Sequence, residues 1–465
     1  RPIMTDLDLD LTRPTRIHVV GVGGAGMSAI AAVLVAMGHQ VTGSDLKAGP
    51  GLDRLRVSGV EVAVGHDRSH LGDAELVAIS TAIPPTNPEV LAAEEAGIPV
   101  LRRAAVLAAI ASTRRTIAVA GTHGKTTTSS MLALALRSAG LAPSFIIGGD
   151  VNEIGSGAAW SDAGDLFVVE ADESDGTFTE LPRDGSIVTN LEPDHLEHYG
   201  GFEGLEAAFD RFVAETPGPV VICVDDEGGR RLAARHPNAI GYGERPDAEY
   251  RMTELVSDRS GARFGLSHHG QAIGPIDLAV PGRHNARNAA AAAVTALRYG
   301  AEFDAVADAL ARYAGVARRY EHRGECNGIT FVDDYAHLPT EVAAALATAR
   351  DGAWPRVVCV FQPHRYSRTQ EVGHDFGPVF TDAHHVLITE IYAAGEAPRP
   401  GVSGRMVAEA VRAASPGLPV DFVAHRTELV ERLTDLLQPG DLCLTLGAGD
   451  LSSLPDELIE RLGAP

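Results

Sequence analysis

RRTIAVAGTHGKTTTSSMLALALRSAGL, residues 114–141, decides the fold. The apolar run through Ala120 reads as a buried strand, a glycine turn follows it, and an alanine- and leucine-rich helix opens directly from the turn. Gly121, Thr122, His123, Gly124, Lys125, Thr126 and Thr127 make up the turn. Backbone N–H groups of such a loop wrap phosphate oxygens, the lysine reaches the β- and γ-phosphates, and the hydroxyl that follows meets Mg²⁺. The first glycine of the general P-loop pattern would fall on Val119, so this is a variant of that loop. ATP or a similar triphosphate is the expected ligand.

Upstream, RIHVVGVGGAGMSAIAAVLVAMGHQVTGSD (16–45) has the same strand–turn–helix logic. Gly21, Gly23 and Gly26 fit G-x-G-x-x-G, and Asp45 ends the next strand, an acid about 20 positions on. By itself the pattern suits a dinucleotide or another diphosphate; a tight turn without a ligand is the bland alternative. Downstream, the buried strands LFVVEADESD (166–175) and SIVTNLEPDH (186–195) end in acidic or histidine-bearing tips. The polar stretch 236–282 is expected to hold short antiparallel strands, and RHNARNAAAAAVTAL (283–297) to be a helix. From about 317, DDYAHLPTE, RVVCVFQPHRYSRT, HVLITEIY and DLCLTLGAGD repeat the strand-then-loop pattern. Alternating strands and helices predict α/β domains with parallel sheets. The expected divisions are 1–107, 108–316 and 317–465: two Rossmann-like domains flanking a central P-loop-type domain.

Composition narrows the function. Among 465 residues, 39 basic against 62 acidic side chains leave a net charge of −23. That disfavours a nucleic-acid scaffold, whose affinity comes largely from Lys and Arg on phosphates. No apolar stretch reaches the roughly 18 residues of a membrane helix, and the acidic start lacks a signal-peptide core, so a cytoplasmic protein is expected. Arg1–Ile3 precede Met4 and are set aside from the fold reading. Cys223, Cys326, Cys359 and Cys443 show no CxxC spacing and read as free thiols. The chain has only two lysines, Lys47 and Lys125, and one of them stands in the triphosphate loop. The pairs His268–His269 and His384–His385 have no acid or cysteine at metal spacing along the chain and read as surface or structural histidines.

GVGGAGMS, TGSD, STAI, RRA, AGTHGKTT, VVEADESD, TNLEPDHLEHY, PGRHNARNAAAA, RRYE, DDYAHLPTE, FQPHRYSRT, YAAGEAP and LGAGD occur in this order over nearly the whole chain. In these motifs the sequence resembles the Mur ligases, most closely the branch that adds a first amino acid to the sugar. The resemblance implies three domains, with UDP-N-acetylmuramate, ATP with Mg²⁺, and L-alanine as ligands, and amide formation through an acyl phosphate. It implies Thr126, Glu170 and His195 as metal ligands. Gly23, Gly24, Ala25 and Gly26 would hold the UDP-sugar diphosphate, with Asp45, Ser80 and Thr81 near uridine or ribose and Arg103 neutralising the anion. Of the pair Arg318–Arg319, Arg319 would reach the γ-phosphate, and Asp334 the ribose or phosphate side of ATP.

Asn285 and Asn288 lie three apart on one helix face, where their amides can read an adenine edge or simply cap the helix. Arg365 and Arg368 follow a strand and suit a carboxylate, an exposed basic turn being the alternative. Tyr335 and His337 stand with them in the expected amino-acid site; the family pattern has a second histidine where this chain has Leu338. With only Lys47 and Lys125 present, the carbamylated lysine of other members is absent. A recycling ligase for preformed murein peptide, an NAD-dependent oxidoreductase and a non-catalytic ATP-binding module are the rival readings.

Overall fold

The computed structural model describes residues 9–151 and 156–463, so Arg1–Ile3 lie outside the described residues. Five short apolar runs form the first sheet: β1 (Arg16–Val20), β2 (Gln40–Asp45), β3 (Glu61–Val64), β4 (Leu76–Ile79) and β5 (Val100–Arg102). All pair in parallel in the order β3-β2-β1-β4-β5, which puts the glycine turn after β1 at the point where strand order reverses.

The second sheet holds β6 (Arg115–Ala120), β7 (Ser144–Val151), β8 (Ser156–Ala159), β9 (Leu166–Glu170), β10 (Gly185–Val188), β11 (Val220–Cys223), β12 (Ile240–Gly243), β13 (Tyr250–Asp258), β14 (Gly261–His268) and β15 (Gln271–Leu278). Its order is β15-β14-β13-β12-β11-β10-β6-β9-β7-β8. β6 therefore lies between β9 and β10, parallel to both. The stretch 236–282 departs from expectation. β12 runs parallel to β11, and β13–β15 are strands of 9, 8 and 8 residues, not short ones. Alternation of buried and exposed residues along β13 sustains that length.

The third sheet holds β16 (Glu321–Cys326), β17 (Ile329–Asp334), β18 (Arg356–Phe361), β19 (His385–Ile388), β20 (Val420–Phe422) and β21 (Asp441–Leu446), in the order β16-β17-β21-β18-β19-β20, with β16 alone antiparallel to its neighbour. Residues alternate between two cores. Val332, Cys359 and Phe361 pack with Phe376 and Phe380, whereas Phe331, Val358 and Val360 pack with Leu429 and Leu458. Burial of both faces is what a parallel sheet requires.

The chain groups into two compact units, residues 1–253, 265–276 and 287–313 in one, and 254–264, 277–286 and 314–465 in the other. The first unit holds the first sheet together with β6–β12 because a single core serves both: Val19, Ile30 and Leu34 belong to one apolar cluster with Ile146, Phe167, Val169 and Phe209. The helix Ala25–Ala36 packs on β7 and β8 to make that join. Position 108 falls inside the helix Arg103–Ser112, and 317 falls in the loop before β16. All four cysteines are free, and burial pushes the Cys223 thiol up to about 11.

Candidate functional site

The triphosphate loop leaves β6 at its carboxyl end and is held by the turn after its neighbour β10. Gly121 has φ +136°, and a Cβ there would lie 2.0 Å from Thr189 Oγ1, so only glycine lets the two turns approach. Thr189 Oγ1 donates to the His123 carbonyl at 2.6 Å, and Asn190 accepts from His123 N and donates to His123 O, both at 2.9 Å. The Thr122 hydroxyl exchanges hydrogen bonds with the main chain of Glu192. The backbone is thus fixed from outside before the helix Lys125–Ser138 begins, and the first N–H groups of that helix remain available to an anion. Asn288 lies against this loop, its side-chain oxygen 2.7 Å from where a Cβ of Gly124 would be. Thr126 and Thr127 are buried in the first turn of the helix.

Lys125 is nearly buried and meets Glu173, with Nζ 2.9 and 3.1 Å from its two carboxylate oxygens and 2.7 Å from the Gly121 carbonyl. Burial works against the ammonium, but Glu173, Asp172 and Glu170 hold its pKa above the usual lysine range. For Glu173 burial outweighs the Lys125 charge and pushes the carboxyl up. Asp172 goes the other way: burial opposes its ionisation, yet the Lys125 charge and hydrogen bonds from Ser174 hold it low. Glu170, at the tip of β9, accepts from Gly148 N at 2.8 Å. His195, beyond the end of β10, has φ +51° and its Nε2 lies 3.4 Å from Asp194. Thr126, Glu170 and His195 therefore all lie beyond or at the carboxyl ends of three adjacent strands, β6, β9 and β10. A hydroxyl and a carboxylate, completed by phosphate oxygens, fit a hard divalent cation; the imidazole is its least typical ligand.

The first glycine loop is braced differently. The Ser44 carbonyl accepts from Gly21 N and Val22 N, and the Asp45 carboxylate accepts from Gly23 N at 2.9 Å. Behind it, the fully buried Glu89 accepts from Ser44 Oγ at 2.6 Å and gathers His70 (2.8 Å), His66 (3.3 Å) and His18 (3.4 Å). Burial opposes the Glu89 charge, but hydrogen bonds from His18, Ser44 and His70 bring its pKa down to about 2. Arg103 lies against Gly26, its Nε 2.8 Å from where a Cβ would be, and that Nε is buried without a hydrogen-bond partner. A buried, unsatisfied guanidinium nitrogen beside a helix N-terminus is a receptor for an anionic group. Ser80 Oγ accepts from Ala82 N, and Thr81 is exposed.

In the second unit the two neighbouring arginines separate. Arg318 is spent on structure, bonding Asp333 and the carbonyls of Gly447 and Gly449. The Arg319 guanidinium lies 5.0 Å over the Tyr335 ring and makes no hydrogen bond or ion pair among the described residues. Asp334 turns inward, its oxygens accepting from Tyr320 N and Ala336 N at 2.7 Å, and burial pushes its pKa up to about 6. This placement makes it a brace for the loop carrying Tyr335 and His337. His337 Nδ1 lies 3.0 Å from the Tyr335 carbonyl, and Glu341 accepts from the main-chain N–H groups of His337 and Leu338. Leu338 is itself buried. His364 lies between the His337 ring (5.8 Å) and a stacked Tyr392 (5.7 Å), with Arg368 3.1 Å from its Nδ1. Burial, then His337, Arg368 and Arg365, push the His364 imidazole down to about 4. Arg365 has φ +68° and an exposed side chain. Neutral imidazoles among arginines suit a carboxylate or phosphate. Asn285 donates to the Pro281 carbonyl at 2.7 Å.

Glu173, Thr189, Asn190, Glu89 and His364 are not among the site residues expected from the sequence. Glu173 and Asn190 stand inside motifs already singled out, EADESD and TNLEPDH, so position in a motif was the available signal; Glu89 carried none.

A variant P-loop turn and a second glycine-rich turn on neighbouring sheets of one compact unit are the plan of a nucleotide-dependent α/β enzyme. The Mur ligase family is matched in three successive stretches: its catalytic domain over residues 16–115, its middle domain over 119–296 and its glutamate ligase domain over 318–449. The chain belongs to the Mur ligase family and has its three-domain architecture. It is 45% identical to a UDP-N-acetylmuramate–L-alanine ligase of Acidothermus cellulolyticus, covering 98% of this chain and 96% of that one. A ligase of the same name from Rubrobacter xylanophilus is 46% identical over 96% of this chain and 100% of its own. The crystal structure of a UDP-N-acetylmuramate-alanine ligase from Thermotoga maritima superposes with a TM-score of 0.80 at 28% identity, covering 96% of this chain and 99% of that one. A murein peptide ligase from Psychrobacter arcticus shares the fold at a TM-score of 0.69 and 23% identity, over 97% and 99% of the two chains.

Proposed function

We propose that the chain joins L-alanine to the lactyl carboxylate of UDP-N-acetylmuramate, using ATP, in cytoplasmic peptidoglycan synthesis. The observation that carries the reading is the pair of anion sites in the first unit: Lys125 among carboxylates at the tips of β6 and β9, and the unsatisfied Arg103 beside the first glycine loop. Hydride transfer needs no triphosphate site, whereas activating the carboxylate of a diphosphate-bearing substrate needs both. The choice of alanine over a murein peptide rests on relatives of that name at 45% and 46% identity over nearly the whole chain.

In the reaction the lactyl carboxylate oxygen takes the γ-phosphoryl group of ATP, giving an acyl phosphate and ADP. The alanine amine then attacks the acyl carbon, the amine loses a proton, and the tetrahedral intermediate expels phosphate. Catalysis of the first step is positioning and charge. Lys125 and the loop Gly121–Thr127 hold the β- and γ-phosphates. Thr126, Glu170 and His195 are the residues that would hold Mg²⁺, which supplies charge neutralisation across those phosphates. Arg319 is the second cation, Asn285 and Asn288 serve the adenine side, and Asp334 fixes the loop that carries Tyr335 and His337. Gly23–Gly26, shaped by Asp45, take the UDP-sugar with Ser80, Thr81 and Arg103; Tyr335, Arg365 and Arg368 receive the amino-acid carboxylate. Burial and its cationic neighbours, opposed by Glu341, lower the His337 pKa, so the imidazole is neutral beside the incoming amine. One domain serves each ligand, with divisions near residues 108 and 317.

Phosphate release by the full chain with ATP, Mg²⁺ and UDP-N-acetylmuramate, scanned over L-alanine, glycine, L-serine and a murein tripeptide, tests the proposal. Release that requires the sugar and is greatest with L-alanine is expected. Release with the tripeptide only would transfer the chain to the recycling branch, and none in any combination would overturn the ligase reading.

A further inference from the structure

We propose a second metal site, for a borderline divalent ion such as Zn²⁺, built by Glu249, His268 and His269 in the first unit. Along the chain the histidine pair has no acid at metal spacing; the fold supplies one from 19 residues upstream. β14 ends on His268, and the next two residues, His269 (φ +48°) and Gly270 (φ +79°), make the turn into β15. Positive φ at both central residues is the two-residue hairpin turn that matches strand twist, and histidine is among the few non-glycine residues that accept it. The turn is tied to the start of β13 by His269 N donating to the Glu249 carbonyl at 2.9 Å.

That tie brings three donor atoms together. Glu249 Oε1 lies 3.1 Å from His268 Nε2 and 3.7 Å from His269 Nε2, and all three ligand atoms lie within 4.8 Å of one another. Zinc bonds of about 2.0–2.2 Å in a tetrahedron set ligand–ligand edges of about 3.3–3.6 Å, so the two edges from Glu249 bracket those of a zinc site, and the exposed His269 side chain can turn to close the third. Two imidazoles and a carboxylate select a borderline ion over Mg²⁺, which prefers oxygen. The Tyr250 ring stacks on His268 at 4.3 Å and fixes its orientation. The His269 side chain is 70% exposed and the other two about a third, so an ion can enter from solvent and keep its fourth position for water. Held there, the ion clamps the β14–β15 turn to the residue before β13. None of the three residues belongs to the nucleotide machinery.

The test uses chelator-stripped full-length protein titrated with Zn²⁺ against a chromophoric competitor in the presence of excess Mg²⁺, with Co²⁺ absorption reporting coordination geometry. The parent is expected to bind one equivalent with a micromolar or tighter Kd and to give tetrahedral Co²⁺ bands. H268F combined with H269N keeps the stacking surface and a residue that tolerates the turn while deleting two ligands; its affinity is expected to drop at least about tenfold. Glu249→Gln should weaken binding less. Melting curves of the variants without metal, and their phosphate release with ATP, should match the parent. Equal zinc uptake by parent and double variant, or no stoichiometric uptake by the parent, would overturn the proposal.

Discussion

The two glycine loops of the first unit share a strand–turn–helix plan yet treat their cations in opposite ways. At Gly21–Gly26 the backbone is locked by Asp45 and Ser44, and the nearby Arg103 Nε is buried and unsatisfied. At Gly121–Lys125 the backbone is locked by Thr189 and Asn190, and the loop's own cation is engaged by Glu173. A buried donor left unpaired costs about 1–3 kcal/mol, which the diphosphate of the proposed substrate would remove. A triphosphate reaching Lys125 must instead outcompete a buried carboxylate. On the proposed function the first loop thus favours binding itself, and the second makes binding conditional on displacing an internal anion, a discrimination in favour of ligands with high negative charge.

Lys125→Ala is the largest perturbation of this contrast. Glu173 already has a raised pKa and would take a proton once its partner is gone, so the variant should fold. Phosphate release is expected to fall about a hundred- to a thousandfold, the range for loss of one charge-stabilising donor. Binding of UDP-N-acetylmuramate, followed by calorimetry, should be unchanged; parallel loss at both sites would show that the loops are not independent. Next in size, Arg103→Ala should raise KM for the UDP-sugar about tenfold or more, since charged hydrogen bonds are worth about 1.5–3 kcal/mol. KM for ATP should not move. An unchanged sugar KM would break the comparison, because the unsatisfied guanidinium would then have no ligand.

Much of this was legible from the sequence because local chemistry forces it. Glycine-punctuated turns between a buried run and an alanine-rich helix have few other meanings, and the parallel sheets follow from the alternation. Placement of side chains was less legible. Arg318 and Arg319 look equivalent in sequence, and only Asp333 and two carbonyls beyond β21 show which one is structural. Glu89 sits in an ordinary helix start, yet His18, Ser44, His66 and His70, from 19 to 71 residues away, converge on it. The core shared by the first two sheets is built from residues far apart in the chain and is invisible to local composition. Glu249 meets His268 and His269 only through the turn that closes β14 on β15.

Two smaller changes sharpen the contrast. Glu173→Gln removes the charge of the internal competitor for Lys125 while leaving an amide oxygen that can still accept, so KM for ATP should fall about three- to tenfold, part of the worth of one charged hydrogen bond. The sign of its pH dependence follows from the raised pKa of Glu173. On acidification from neutral pH the parent carboxylate gains its proton earlier than an ordinary glutamate, the ion pair weakens, and the parent approaches the variant. The KM gap should therefore be widest at neutral pH and close as pH falls; a gap that widens instead would mean that Glu173 assists ATP. The smallest effect belongs to Asp45→Asn. The amide oxygen can still accept from Gly23 N, so only the charge in that 2.9 Å bond is lost. KM for the UDP-sugar should rise about two- to fivefold with ATP unaffected. A much larger rise would mean that Asp45 touches the ligand directly and does more than shape the loop, moving the first site from a preformed cradle toward one that reads its nucleoside.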